Sequence, residues 1–227
     1  MKIGLLACDH IQKGFADYPE LFKNLLPEFS FEIYNVCEGI FPKSASDCDA
    51  WIITGSKYSV YDQIDWIIKL KDFVKEMFYA DKYCIGVCFG HQMLGEAMGG
   101  VVKKSENGWC VGVHEFEILE REDWMKPFHP KVNLLMSCQD QIQVLPKNSK
   151  VLAQSPMCPV GIIKIGEKML GIQGHPEFSS NYVKFLMEDR TNRIGEQKVK
   201  EGIDSLKITT DNKVVAEWIN NFLNQKI

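Results

Sequence analysis

The chain of 227 residues has no apolar stretch long enough to cross a bilayer. Apolar runs such as residues 50–53 are far shorter than the roughly 20 residues that a membrane-spanning helix needs. The sequence therefore predicts a protein that does not span a membrane.

An excess of basic residues is also lacking. The chain has 26 Lys and Arg against 30 Asp and Glu, which gives a formal net charge of -4. No broad cationic face is expected that could neutralise the phosphates of nucleic acid or of an anionic membrane. We therefore expect a small molecule as the partner, and we do not expect the protein to bind nucleic acid or a membrane.

The eight cysteines form no CxxC pair and have no regular spacing. A disulfide framework is therefore not predicted, and reduced thiols in the cytoplasm explain this cysteine content better. Cys84, Cys88 and His91 could be taken for metal ligands. However, a strand, turn and helix would point them in different directions, and no fourth ligand is spaced to complete a tetrahedron. We expect no metal and no cofactor.

Short β-rich runs alternate with helical patterns in the first hundred residues, which predicts an α/β fold. The strands are expected at residues 3–7, 31–37, 51–54 and 83–87, and the helices at 17–26 and 64–79. Such an alternation predicts a mostly parallel sheet with helices on both faces. The architecture expected is a three-layer sandwich of the flavodoxin-like kind.

The pattern changes from residue 101 to about 174, where strand-like runs dominate, and it returns to helices after residue 178. We expect the runs to form a mixed or antiparallel extension of the sheet, and the last helix to span 214–222. The charged residues 190–201 are most simply interpreted as the solvated face of a helix. No repeat or linker is evident, so a single domain over 1–227 is predicted. The strand-like runs are 111–119, 132–137, 151–154, 160–165 and 168–173.

Cys88 lies between the predicted strand ending at Val87 and a helical pattern that starts near Gly90. The order Gly86-x-Cys88-x-Gly90 is that of a nucleophile elbow, in which flanking glycines allow a strained turn to close. A cysteine at a helix N-terminus with a histidine within reach is a good nucleophile. Taken alone, the pattern is found more often around a structural cysteine than around a catalytic one.

A second motif, His175-Pro176-Glu177, follows another strand-like run. A carboxylate two residues after a histidine can hold the imidazole in one tautomer. His175 is 87 residues from Cys88 in the chain, which is no objection because such groups meet in the folded state.

In these motifs the sequence resembles the class I glutamine amidotransferases, whose catalytic residues are Cys, His and Glu. The resemblance implies that Cys88 is the nucleophile, His175 the general base and acid, and Glu177 the residue that orients His175. Four segments carry it, in chain order: Thr54-Gly55-Ser56, Cys84-Ile85-Gly86-Val87-Cys88-Phe89-Gly90-His91-Gln92, Ser137-Cys138-Gln139-Asp140 and Gln173-Gly174-His175-Pro176-Glu177.

The same resemblance implies where the substrate is held. The backbone amides of Ser56 and Phe89 would form the oxyanion hole, next to Gly55. Gln92 and the main chain around Gln139 and Asp140 would hold the α-amino-acid end of glutamine or of another γ-glutamyl compound. The implied reaction is hydrolysis of the γ-amide through a γ-glutamyl thioester on Cys88.

The segment 54–62 resembles stand-alone members of the family that are similar to GMP synthase, some of which cleave γ-glutamyl peptides. No P-loop follows His175, so no ammonia-accepting half is expected within these residues. Two alternatives stay open: a subunit that supplies ammonia to a separate synthase partner, and a non-catalytic ligand-binding module of the same fold. A homo-oligomer is equally open. Cys138 departs from the pattern, because many members have histidine there.

Four further residues are candidates for the site because of their position in the sequence. His91 is expected beside the elbow rather than as the base, since the partner carboxylate accompanies His175. Trp109 could wall a pocket or pack in the core. Asp9 and His10 follow the first strand, at the sheet edge where ligands bind in folds of this kind.

Overall fold

The computed structural model of the protein describes residues 1–11 and 14–225. Within them the chain forms eleven β-strands, seven α-helices and two short 3-10 turns. The strands are β1 (Lys2–Leu6), β2 (Ser30–Tyr34), β3 (Ala50–Ile53), β4 (Tyr83–Val87), β5 (Val101–Lys104), β6 (Cys110–Ile118), β7 (Lys131–Cys138), β8 (Asp140–Val144), β9 (Ser149–Ser155), β10 (Cys158–Ile165) and β11 (Met169–Ile172). The helices are α1 (Tyr18–Leu25), α2 (Asp65–Tyr79), α3 (Phe89–Ala97), α4 (Ser180–Asp189), α5 (Thr191–Ile194), α6 (Glu196–Ser205) and α7 (Asn212–Leu223).

Nine of the strands form one mixed sheet in the order β2-β1-β3-β4-β11-β10-β9-β6-β7. The first five are parallel to one another. The order 2-1-3-4 followed by a fifth parallel strand is that of flavodoxin-like sheets. The strands β10, β9, β6 and β7 continue the sheet in antiparallel fashion. The predicted mostly parallel sheet with an antiparallel extension is confirmed.

Helices cover both faces of this sheet, each over its own apolar cluster. One cluster includes Phe22 of α1 and Trp218 of α7. The other includes Leu70 of α2 and Leu94 of α3. Both clusters consist of side chains removed from water, and such burial is the main stabilising contribution in a domain of this size. The predicted three-layer architecture is confirmed.

A second, two-stranded sheet of β5 and β8 was not predicted. Its strands pair antiparallel, with Lys104 opposite Asp140. Charged and amide side chains interrupt the apolar pattern in both strands, so neither reads as a buried strand in the sequence. This small sheet matters because it brings both residues to one edge of the fold.

Two predicted boundaries were wrong. The second strand ends at Tyr34, because the Asn35 carbonyl accepts hydrogen bonds from Glu38 and Ile40 and turns the chain. The charged residues 190–201 are not one solvated face but parts of two helices with a break at Gly195.

None of the helices in the described residues is long and apolar enough to cross a bilayer. The single domain over 1–227 stays a prediction.

The carboxyl ends of the parallel strands determine where the candidate site lies. The chain leaves β1 at Ala7, β3 at Thr54, β4 at Cys88 and β11 at Gln173. Because parallel strands end at the same edge of a sheet, the segments that carry all the predicted catalytic residues converge there.

Candidate active site

Cys88 occupies a strained turn between β4 and α3. Its backbone has φ 53° and ψ -102°, a combination that is rare for residues other than glycine. Its amide donates to the Ile172 carbonyl of the neighbouring strand at 2.9 Å. Such strain persists only where the surroundings fix the backbone, and it is concentrated at functional sites.

Two glycines allow the elbow to pack closely. A Cβ at Gly86 would lie 2.4 Å from the backbone of Gly90 in the first turn of α3. A Cβ at Gly90 would lie 2.3 Å from the carbonyl oxygen of Ile53 on β3. Both neighbours are backbone atoms and cannot move aside, so side chains are excluded at both positions.

His175 follows β11 and is fixed from two directions. Its backbone amide donates to the Leu135 carbonyl of β7 at 2.8 Å. Its ring nitrogen Nδ1 donates to Oε1 of Glu177 at 2.7 Å, and both side chains are buried. The ring of Phe178 stacks on the imidazole with a centroid distance of 4.0 Å and an interplanar angle of 7°. Together these contacts hold the imidazole in one orientation.

The charge state of His175 follows from its neighbours. Burial lowers the pKa of the imidazole, but the negative charge of Glu177, a thiolate at Cys88 and the hydrogen bonds to both side chains raise it to about 10. The surroundings of His175 therefore favour its protonated form, and the ring lines the second cleft together with Cys88. An imidazolium beside a cysteine at a helix N-terminus stabilises a thiolate.

The amides of Ser56 and Phe89 are available to a ligand. Within residues 1–11 and 14–225, neither donates a hydrogen bond to another protein group. Phe89 is the first residue of α3, where the amides have no acceptor inside the helix. The hydroxyl of Ser56 donates to the Cys8 carbonyl at 2.9 Å, which fixes the loop after β3.

Two clefts meet at Cys88, and they share Ser56, Lys57, Ser137 and Arg190. We call them the first and the second cleft. The first is also lined by Tyr58, Ser59, Gln92, Lys104, Trp109, Cys138, Gln139, Asp140 and Arg193. The second is also lined by Asp9, His10, Tyr18, His175, Phe178, Tyr182 and Leu186.

The predicted substrate-binding residues gather in the first cleft, but their side chains already have partners. The amide of Gln92 donates to the Asp140 carbonyl at 2.7 Å and to Oε1 of Gln173 at 3.0 Å. The Asp140 carboxylate accepts hydrogen bonds from Ser59 at 2.5 Å and from Tyr61 at 3.2 Å. Gln92 therefore fixes the main chain at Asp140, and neither of its amide N–H groups is left for a ligand.

Gly55 lies against the catalytic candidates rather than in the cleft lining. A Cβ there would be 2.8 Å from the Tyr18 hydroxyl and 3.1 Å from Cε1 of His175. The absence of a side chain leaves room for the imidazole.

The less certain candidates divide between the clefts. Trp109 lines the first cleft, and Asp9 and His10 line the second. His91 lies in neither: it is fully buried against Gly171 of β11, and burial lowers the pKa of its imidazole to about 4. Nowhere in the described part of the chain do three His, Cys, Asp or Glu side chains come together as a metal site would require.

Several lining residues were missed by sequence reasoning. The residues assigned to a solvated face include Arg190 and Arg193, and both line the clefts. Arg190 ends α4 and precedes α5, and this break turns its side chain toward β7, where Nη1 donates to the Ser137 hydroxyl at 3.4 Å. No sequence motif marks Arg190. For Phe178, which stacks on His175, the only sequence signal was its position directly after Glu177.

Comparisons with known proteins show which family this chain is similar to. The family model for glutamine amidotransferase class-I matches residues 29–190. Gamma-glutamyl peptidase 4 of Arabidopsis thaliana is 32% identical over 188 residues, which cover 79% of this chain and 74% of that protein. One subunit of the glutamine-hydrolyzing GMP synthase of Pyrococcus abyssi is 38% identical over 94 residues, which cover 41% of this chain and 50% of that protein.

A solved structure has the same fold. The crystal structure of a glutamine amidotransferase from Thermotoga maritima superposes with a TM-score of 0.80 and covers 99% of this chain and 98% of that one, at 15% identity. The family model spans most of the chain, including the elbow and the histidine motif. The chain therefore belongs to the class I glutamine amidotransferase family.

Proposed function

We propose that this protein hydrolyses the γ-amide bond of glutamine or of a γ-glutamyl compound through a γ-glutamyl thioester on Cys88. The observation that carries the proposal is the buried His175, which donates to Glu177 at 2.7 Å and lines the second cleft together with the strained Cys88. A nucleophile, a base and an orienting group in mutual reach are the requirements for acyl transfer of this kind.

In the first half-reaction the Cys88 thiolate attacks the γ-carbonyl carbon, and a C–S bond forms. The tetrahedral intermediate collapses when the imidazolium of His175 gives its proton to the departing nitrogen and the C–N bond breaks. An amine, or ammonia if the substrate is glutamine, leaves as a neutral molecule. Glu177 keeps the ring in the tautomer that this transfer needs.

The negative oxygen of the intermediate needs hydrogen-bond donors that are already in place. The amides of Ser56 and Phe89, on either side of Cys88, would supply them. Losing one donor of this kind typically costs about 3 kcal/mol of transition-state stabilisation. The fixed backbone around both residues means that little reorganisation is needed during the reaction.

In the second half-reaction water adds to the thioester. The neutral His175 removes a proton from that water, the C–S bond breaks, and glutamate is released with Cys88 restored to the thiolate. The balance is one water consumed for each amide bond broken, with no redox step.

The γ-glutamyl part is placed in the first cleft. Gln92, Gln139 and Asp140 form one wall, and Gly55 leaves space beside the imidazole. The gamma-glutamyl peptidase of Arabidopsis supports a hydrolase in this family.

A second candidate function is the supply of ammonia to a separate synthase. The similarity of 94 residues to a subunit of GMP synthase favours it. In that case the purified chain would hydrolyse glutamine slowly until the partner is added. The reading as an inert binding module is disfavoured, because Cys88, His175 and Glu177 are all present and adjacent.

The test is turnover and acyl-enzyme formation by the full chain. Glutamine, glutathione and other γ-glutamyl peptides are incubated with the protein and with Cys88→Ala, and intact mass is followed. We expect amine release and a transient glutamyl adduct that both vanish in Cys88→Ala while thermal unfolding is unchanged. Cys84→Ala is the matched control, since Cys84 is buried in the strand that precedes the elbow and lines neither cleft. An adduct on another cysteine would refute the assignment.

A further inference from the structure

The second cleft has the position expected for the part of the substrate that leaves. The departing nitrogen must take its proton from His175, and His175 lines the second cleft but not the first. The amine half of a substrate therefore extends from Cys88 into the second cleft, while the γ-glutamyl half occupies the first. This step rests on the proposed function.

The second cleft is larger than ammonia requires. Its cavity volume is about 80 Å³, equal to that of the first cleft. On the same measure one water molecule, which is about the size of ammonia, needs only roughly 10–15 Å³. Its inner wall is formed by Tyr18, Phe178 and Tyr182, which are all buried.

The basic side chains of the second cleft differ in their partners. Lys57 forms an ion pair with Asp9 at 3.1 Å, and His10 faces Glu38 at 3.0 Å. Arg190 has no carboxylate within 4.0 Å among residues 1–11 and 14–225, and its polar contact is the Ser137 hydroxyl. A guanidinium that is held against the fold without a counter-ion is suited to bind a carboxylate in two parallel hydrogen bonds.

The first cleft has cations of its own for the γ-glutamyl part. Lys104 and Arg193 line it and do not line the second cleft. In the described part of the chain neither forms an ion pair with a carboxylate, and Arg193 stacks over the Trp109 ring at 5.4 Å. The α-carboxylate of the glutamyl group thus has partners without Arg190.

We propose that Arg190 determines specificity by binding a carboxylate on the leaving amine. The protein then prefers γ-glutamyl compounds whose amine half is an amino acid or short peptide with a free carboxylate over glutamine and over neutral γ-glutamyl amides. Arg190 is placed for this role by the break between α4 and α5, which holds its backbone while the guanidinium reaches the junction of the clefts.

The test compares two substrates that differ in one group. γ-Glutamyl-alanine carries a carboxylate on its amine half, and γ-glutamyl-alaninamide carries a neutral amide there. kcat/KM is measured for both with the full chain, with Arg190→Gln and with the control Arg193→Gln. Arg190→Lys keeps the charge but loses the planar fork, and circular dichroism and thermal unfolding verify the fold of each variant.

We expect the unmodified protein to prefer the acid by about tenfold or more, which is the range of a charge-assisted hydrogen-bond pair. Arg190→Gln should bring the ratio of kcat/KM for the acid to kcat/KM for the amide close to one, mainly by lowering the value for the acid. Arg190→Lys should retain part of the preference for the acid. Arg193→Gln should slow both substrates by the same factor and leave the ratio unchanged.

Two results would overturn the role of Arg190 without affecting the proposed function. One is that the unmodified protein has no preference for the acid over the amide, and the other is that Arg190→Gln lowers kcat/KM equally for both substrates. An equal loss would place the guanidinium on the γ-glutamyl half. If neither compound nor glutamine acylates Cys88, the proposed function itself fails, and the intact mass distinguishes that result from the other two.

Discussion

The buried pair of His175 and Glu177 permits a quantitative prediction. Replacing Glu177 by glutamine removes the charge but keeps an oxygen that can accept from Nδ1 of His175. The change from the ordinary pKa near 6.5 to about 10 corresponds to on the order of 5 kcal/mol in favour of the protonated ring. Burial opposes this change, so Glu177 and the Cys88 thiolate together contribute more than the net value, and removing one of two comparable contributions costs roughly 2.5 kcal/mol or more.

The raised pKa of His175 determines how stability and activity change with pH. Because the pKa of His175 is raised in the folded protein, the contribution to stability is complete below about pH 6.5 and is lost as the pH rises toward 10. In the proposed reaction the imidazolium is also the proton donor for the leaving amine. In Glu177→Gln the alkaline limb of kcat/KM should therefore move from near 10 to roughly 8 or below, with a loss of activity that grows with pH and reaches roughly 70-fold or more above pH 10.

The assay is kcat/KM for a γ-glutamyl peptide between about pH 5 and 11, with a parallel NMR titration of the histidine ring nitrogens. Glu38→Gln is the matched control, because Glu38 faces His10 at 3.0 Å in an exposed pair. It should leave the profile unchanged. An alkaline limb that stays near pH 10 in Glu177→Gln would refute the electrostatic argument, even if the rate falls.

Three further predictions concern packing and hydrogen bonding. Gly90→Ala places a Cβ 2.3 Å from the Ile53 carbonyl oxygen, so it should cost about 2 kcal/mol or more and lower the midpoint of thermal unfolding by roughly 4–8 °C; an unchanged midpoint would contradict the steric argument. Phe178→Leu removes the ring stacked on His175 and should lower kcat/KM roughly fivefold with little effect on KM, as stopped-flow acylation would measure; equal rates would mean that the stack does not orient the imidazole. Gln92→Leu leaves the Asp140 carbonyl and Oε1 of Gln173 without their donor and should cost about 2–4 kcal/mol in urea unfolding, whereas the exposed Gln197→Leu should cost less than about 1 kcal/mol.

The parallel half of the sheet could be predicted from the sequence because its strands are buried on both faces. The strand over residues 83–87 is found at those residues, and the helix predicted over 64–79 begins one residue later. Continuous apolar runs between turn residues give a strong signal in such strands. The sequence also predicted that Cys88 and the His175 motif each directly follow a strand, and in the structure they come after β4 and β11.

The two-stranded sheet and the arginines of the cleft could not be predicted. In β5 and β8 the apolar residues are mixed with lysine, aspartate and glutamine, so no period is evident. Arg190 and Arg193 lie in a segment whose charge pattern is typical of an exposed helix. The break after α4 turns Arg190 inward, and the packing of α4 against β7 brings it to Ser137, a residue about fifty positions away, which no local pattern encodes.

The register between β4 and β11 has a consequence for protein synthesis. Gly86 pairs with Gly171 and Val87 with Ile172, and the Cys88 amide reaches the Ile172 carbonyl. The thiol-bearing turn leaves the ribosome more than eighty residues ahead of the strand that delivers its imidazole. A nascent chain therefore carries Cys88 without His175, and the proposed hydrolysis requires this late, long-range strand pairing, which is a slow type of folding step.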